Sequence, residues 1–104
     1  MKTDHVSKCR FEVERLIARA IVNFPGPWPW LSRLTLADFC VPTFRAFVRL
    51  ALIGGGARSP IRAADLLVAL DADEDRECIR ALIGRTHYLA DGLDESIEFL
   101  LSDR

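Results

Sequence analysis

The 104-residue chain is long enough to build one hydrophobic core but not two. Half of its residues are apolar and 28% are charged, which excludes an intrinsically disordered chain, because such chains are poor in apolar residues. The net charge of −1 is close to neutral. We predict a single helical domain over residues 1–104.

The charges divide by sign along the chain. Residues 1–62 carry ten basic and four acidic side chains, a net charge of +6, whereas residues 63–104 carry four basic and eleven acidic ones, a net charge of −7. An asymmetry of this size bears on association and solubility rather than on fold. It therefore directs the search for function towards charged binding surfaces.

The composition also indicates a cellular compartment. The cysteines are odd in number and widely spaced, which fits neither a disulfide framework nor a zinc site: they are Cys9, Cys40 and Cys78. The first 15 residues contain no apolar run of signal-peptide length. The most apolar stretch, residues 34–53, holds three charged residues that disfavour a membrane span. We expect a cytoplasmic protein with reduced thiols and no membrane contact.

The first predicted element is an amphipathic helix over residues 6–24, where apolar side chains recur in steps of three and four. Pro25 and Gly26 end it. The connector that follows, with the sequence FPGPWPW, is stiffened by its prolines. Its two tryptophans, Trp28 and Trp30, are candidate aromatic anchors for a partner, with closure of the core as the alternative role.

A second helix is predicted over residues 42–53, with Pro42 at its favoured first position. It follows a short turn over residues 36–40. Thr35 is the predicted N-cap of this turn, and Asp38, three residues later, is the acidic residue of a capping box. Three glycines at positions 54–56 then end the helix.

Three more helices are predicted in the acidic half. Ser59 and Pro60 favour the start of a helix that reaches residue 70, and Asp73 is a cap for a fourth helix that ends at Gly84. A last helix, after a break near Gly92, reaches residue 101. No alternating β-branched run appears. The predicted fold is all-α, a compact single-domain bundle of about five helices with a Pro/Trp-rich connector after helix 1 and a Gly-rich joint after helix 2.

No catalytic, cofactor-binding or metal-binding constellation is recognisable. The histidines are His5, near the terminus, and His87, in a polar link where hydrogen bonding is its expected role. An enzyme is therefore the hypothesis that the sequence favours least.

Two other sequence patterns are weak indications of binding, one to an anion and one to DNA. The glycine run before Arg58 and Arg62 resembles an anion-binding loop, but it follows a helix and lacks the P-loop pattern. The third and fourth helices could form a helix-turn-helix, but the second of them would present Asp73 and its acidic neighbours to the DNA phosphates.

The charged residues give the candidate contact surfaces. The candidate basic surface comprises Lys8, Arg10, Arg15, Arg19, Arg45, Arg49, Arg58 and Arg62. The candidate acidic surface comprises Asp71, Asp73, Glu74, Asp75, Asp94, Glu95 and Glu98. The alternative is that the two sets neutralise each other in the fold.

Three hypotheses follow from these observations. The leading one is a non-enzymatic protein–protein interaction module, an accessory subunit or inhibitor that docks on a larger, nucleic-acid-handling assembly. The second is a direct binder of the nucleic-acid backbone, and a small enzyme comes last. Opposite charges on one chain also permit head-to-tail self-association. No cofactor is expected.

Overall fold

The structure is a computed structural model that describes residues 8–84 and 89–102. Within these residues the chain forms five α-helices, two short 3-10 turns and no strand, which confirms the predicted all-α bundle. The helices are α1 Lys8–Asn23, α2 Pro42–Ile53, α3 Ala63–Ala69, α4 Asp73–Arg80 and α5 Leu89–Ser102. The 3-10 turns are Pro29–Arg33 and Leu36–Asp38.

Helix α5 packs mainly against α1 and runs without interruption through Gly92, where a break was predicted. A Cβ atom added at Gly92 would lie 2.9 Å from Cδ1 of Leu16, so the missing side chain lets the two helices approach closely. Glycine costs a helix about 1 kcal/mol relative to alanine. Burial of Ile97 and Leu100 in the core offsets that cost, which explains why the helix continues.

Helix α2 has the predicted bounds, with Pro42 in its first turn and Gly54 at its C-terminal cap. Its inner face is fully buried and contributes Phe44, Phe47, Val48 and Ala51 to the core. The predicted turn before it is also present. The buried carboxylate of Asp38 accepts a hydrogen bond from the backbone N–H of Thr35 at 2.8 Å, as a capping box requires.

Helix α3 starts at Ala63 rather than at Pro60, so the prediction of Ser59 as its N-cap was wrong. The segment before it packs against two glycines: the side chain of Ile61 lies against Gly54, and its backbone lies against Gly26. This tertiary packing holds the segment outside a helix and overrides the local cap signal. The short helix consequently buries Leu66, whereas Val68 is 80% exposed.

Helix α4 starts one residue earlier than predicted, with Ala72 as its N-cap and Asp73 as its first residue, so the prediction of Asp73 as the cap was wrong. The acidic first turn still complements the positive end of the helix dipole. Regular helix ends at Arg80, before the predicted end at Gly84. Ile79 is its buried residue, and Leu82 is buried in the turn that follows. Cys78 and Ile83 are exposed.

All five helices contribute to one hydrophobic core. The connectors take part as well, because Trp28, Leu31 and Phe39 are buried in the same cluster. Among the described residues, no helix combines the length and the hydrophobicity that crossing a lipid bilayer requires. The outer face of α2 is left at the surface, between the connector on one side and the α3–α4 corner on the other.

Candidate docking surface on α2

A buried acid fixes the start of α2. The side chain of Glu14, on α1, is fully buried, and its oxygens accept hydrogen bonds from the backbone N–H groups of Cys40 at 2.9 Å and Val41 at 3.0 Å. These groups lie at the N-terminus of α2, where N–H groups have no intrahelical partner and a negative charge complements the helix dipole. Glu14 therefore ties the middle of α1 to the beginning of α2.

Arg10 completes this cluster. Its Nε lies 3.2 Å from the Glu14 carboxylate, and its guanidinium also donates to the backbone carbonyl of Asp38. The side chain is only 13% exposed. The structure thus places Arg10 inside the joint between α1 and α2, apart from the other members of the candidate basic surface.

Two members of that basic surface do come together. Arg45 and Arg49 stand one turn apart on the exposed side of α2 and line one groove of about 420 Å³. Its other walls are Leu36, Cys40, Pro42 and Ala46. Neither arginine forms a salt bridge with a described residue, so both guanidinium groups present their donors to solvent beside an apolar floor. We call this depression the α2 groove.

A second, smaller depression of about 160 Å³ adjoins it, and we call it the corner groove. Ala46 and Arg49 line both grooves, and the far wall of the second is the α3–α4 corner with Asp71 and Asp75. The hydroxyl of Thr43 donates to the Asp75 carboxylate at 2.7 Å and fixes that corner against α2. The corner groove therefore contains charges from both halves of the sequence.

The remaining basic candidates are dispersed. On α1, Lys8 is exposed, Arg15 pairs with Glu12, and Arg19 is half-buried. Arg58 and Arg62 are exposed beyond α2, and Arg62 lines a separate groove of about 300 Å³ beside Phe24 and Pro25. The eight residues do not form one continuous surface, and no helix starts at the Gly-rich loop to hold an anion, because α3 begins at Ala63.

The acidic candidates occupy two places. On the α3–α4 corner, Asp71 and Glu74 are exposed, and Asp73 pairs with Arg76 within α4. The others lie on α5, where Asp94 and Glu95 are exposed and Glu98 pairs with Arg33 at 2.6 Å. This last pair joins the basic half to the acidic half. The two halves of the sequence therefore contact each other at this pair.

The tryptophans differ in position. Trp28 is 2% exposed, and its indole N–H donates to the carbonyl of Phe24 at 3.0 Å. Trp30 is half-buried and packs against the core. Trp28 thus closes the core, which was the alternative to an anchoring role.

Among the described residues, the thiol of Cys78 has a shifted pKa. The Cys78 side chain is exposed, but partial burial of its sulfur, with a smaller effect from the Asp75 carboxylate, raises the pKa of the thiol, while the Arg15 guanidinium opposes the rise. A raised pKa keeps the sulfur protonated and unreactive near neutral pH. In residues 8–84 and 89–102 no group of acidic, histidine and cysteine side chains could hold a metal ion. His87 lies outside the described residues.

Two features of the site escaped sequence reasoning. Glu14 entered only as a charge, although it shares a helical face with Ile17 and Ile21, and that position predicts burial. The place of Cys40 in the α2 groove depends on how the connector folds back over α2, for which the sequence carries no local signal.

Comparison with known proteins adds no family to these observations, because no family model, no curated protein and no solved structure matches the chain. The candidate function therefore has to be derived from the charges and the shape of the α2 surface.

Proposed function

We propose that this chain is a non-enzymatic interaction module, an accessory subunit or inhibitor that docks on a larger assembly through the outer face of α2. The observation that carries the proposal is the α2 groove, in which two arginines without salt-bridge partners among the described residues flank an apolar floor. Apolar contact supplies affinity and charge supplies specificity in such interfaces. The expected occupant is a protein segment that carries carboxylates next to apolar side chains.

Arginine suits this role better than lysine. A guanidinium group binds a carboxylate through two parallel hydrogen bonds, and arginine is enriched in interface cores, whereas lysine is depleted there. Arg45 and Arg49, separated by one turn of α2, match carboxylates that are likewise one turn apart on a partner helix. An amphipathic helix with acidic residues at that spacing is the simplest segment with this chemistry.

Capture of partners from the native host tests the proposal when it is combined with charge reversal. We expect the wild-type chain to retain a protein that the double variant Arg45→Glu, Arg49→Glu loses. The matched control is Arg58→Glu, Arg62→Glu, which makes the same change of charge at exposed positions outside the α2 and corner grooves. Equal retention by all three proteins would overturn the proposal.

Nuclease treatment separates the proposal from direct binding to nucleic acid. A protein partner stays on the chain after digestion, whereas a nucleic-acid complex disappears. A direct complex also weakens steeply with salt, because each phosphate contact releases counterions. If only nucleic acid is captured, and the α2 double variant releases it, then backbone binding replaces protein docking as the function of this face.

A further inference from the structure

The α2 groove and the corner groove adjoin each other, because Ala46 and Arg49 line both, and we call the two together the track. The track starts at the connector, where Leu36 and Cys40 form its wall, and it ends at the α3–α4 corner. An extended or helical segment that enters the first groove therefore meets the second groove along the same face of α2.

The two ends of this track carry opposite charges. Arg45 lies at the connector end with no acidic residue in the same groove, whereas Asp71 and Asp75 lie at the corner end. Arg49 stands between them and belongs to both grooves. Apolar side chains lie beside these charges, with Ala46 shared by the two grooves and Leu50 and Leu70 lining the corner groove. The sign of the charge thus changes from the connector side of α2 to the side that faces the α3–α4 corner.

From this order of charges we infer that the track binds a bipolar segment of a partner protein, acidic at one end, apolar in the middle and basic at the other end. The inference rests on the proposed function and specifies its partner. A uniformly acidic segment would pair with Arg45 but meet Asp71 and Asp75 at its other end. Like charges placed together across an interface are costly, and this cost discriminates between partners.

Three synthetic peptides test the inference directly. All three share the same central apolar residues. The first peptide is acidic at one end and basic at the other, the second is acidic at both ends, and the third is basic at both ends. Fluorescence anisotropy with labelled peptides measures their affinities for the full chain. The wild-type protein is expected to bind the acidic–basic peptide at least about tenfold more tightly than either of the others, a difference of about 1.4 kcal/mol.

Charge reversal at one end should change the preference in a defined way. In the variant Asp71→Arg, the peptide that is acidic at both ends becomes the tightest ligand. Asp71 is exposed and has no salt-bridge partner among the described residues, so this substitution leaves the fold intact. The matched control is Glu74→Arg, an exposed position outside the track, which should leave the order of affinities unchanged.

The outcomes separate the inference from the proposed function. The bipolar partner would be overturned by equal binding of the three peptides, by no binding of any of them, or by an unchanged preference in Asp71→Arg. Partner capture tests docking on α2 independently. Sedimentation of the protein alone gives a further readout. A dimer that Arg45→Glu or Asp71→Arg dissociates would assign the track to a second copy of the chain and overturn the inference as well.

Discussion

The buried carboxylate of Glu14 accepts a hydrogen bond from the backbone N–H of Val41 at 3.0 Å, and so joins the middle of α1 to the N-terminus of α2. Arg10 neutralises that carboxylate from a position that is itself mostly buried. The outer face of α2 carries both arginines of the docking surface. The orientation of that surface therefore depends on a contact made on the opposite, inner side of the helix.

Replacement of Glu14 should destabilise the protein strongly. Glu14→Ala removes the acceptor for two N–H groups and the buried carboxylate that lies beside the Arg10 guanidinium, so we expect a loss of about 3–5 kcal/mol in the free energy of unfolding. Glu14→Gln keeps an acceptor oxygen and should lose about 1–3 kcal/mol. Denaturant unfolding measures both. Glu12→Ala, which breaks an exposed pair on the same helix, is the control, and an equal loss in Glu12→Ala and Glu14→Ala would contradict the account.

The two tryptophans should differ in their contribution to stability. Trp28 is fully enclosed, so Trp28→Ala should lower the free energy of unfolding by about 3–5 kcal/mol. Trp30 is only half-buried, so Trp30→Ala should lower the free energy of unfolding by clearly less. Thermal unfolding of the two variants gives the comparison. A greater loss in Trp30→Ala than in Trp28→Ala would show that the connector is packed differently.

A side chain at position 56 is expected to lower the stability of the protein. A Cβ atom there would lie 2.8 Å from the carbonyl oxygen of Ala51 and 3.0 Å from the ring of Trp28, so Gly56→Ala should lose about 1–3 kcal/mol of stability. Gly92→Ala is the contrasting variant. The new Cβ atom at position 92 meets only the flexible end of Leu16, and alanine has a helix propensity about 1 kcal/mol more favourable than that of glycine. The stability of Gly92→Ala should therefore differ little from that of the wild type. Chemical denaturation distinguishes the two, and equal losses would contradict the packing described.

The thiol of Cys78 should react slowly with alkylating reagents at neutral pH. Its pKa is raised by burial and by the Asp75 carboxylate, and only the thiolate is nucleophilic, so the reaction accelerates at a higher pH than for an ordinary thiol. In a protein with serine at positions 9 and 40, Asp75→Asn should increase the rate and Arg15→Gln should decrease it. Changes in the opposite directions would show that these charges do not act on the sulfur.

Local signals predicted the fold where local chemistry decides the structure. Pro42 and Gly54 mark both ends of α2, and the Thr35–Asp38 box lies where its spacing indicates. The errors arose where distant packing decides. Ile61 is held outside a helix by contacts with two glycines, and Gly92 stays within α5 because α1 packs against it.

The candidate site could be predicted only in part. Helical spacing places Arg45 and Arg49 together on one side of α2, so this pair was accessible from the sequence. The separation of the other basic residues, and the meeting of Arg49 with Asp71, depend on how α3 and α4 fold against α2. Net charges of segments carry no information about such contacts.

Site-specific photo-crosslinking in the native host is the most direct measurement of docking on α2. A photoreactive side chain at Ala46, which lines both grooves, should form an adduct with one protein, and the added substitutions Arg45→Glu and Arg49→Glu should abolish it. The same group at Ala64, an exposed position on α3 outside the track, serves as the control. We predict an adduct at position 46 alone. Adducts of equal yield at both positions, or none at position 46, would contradict the account.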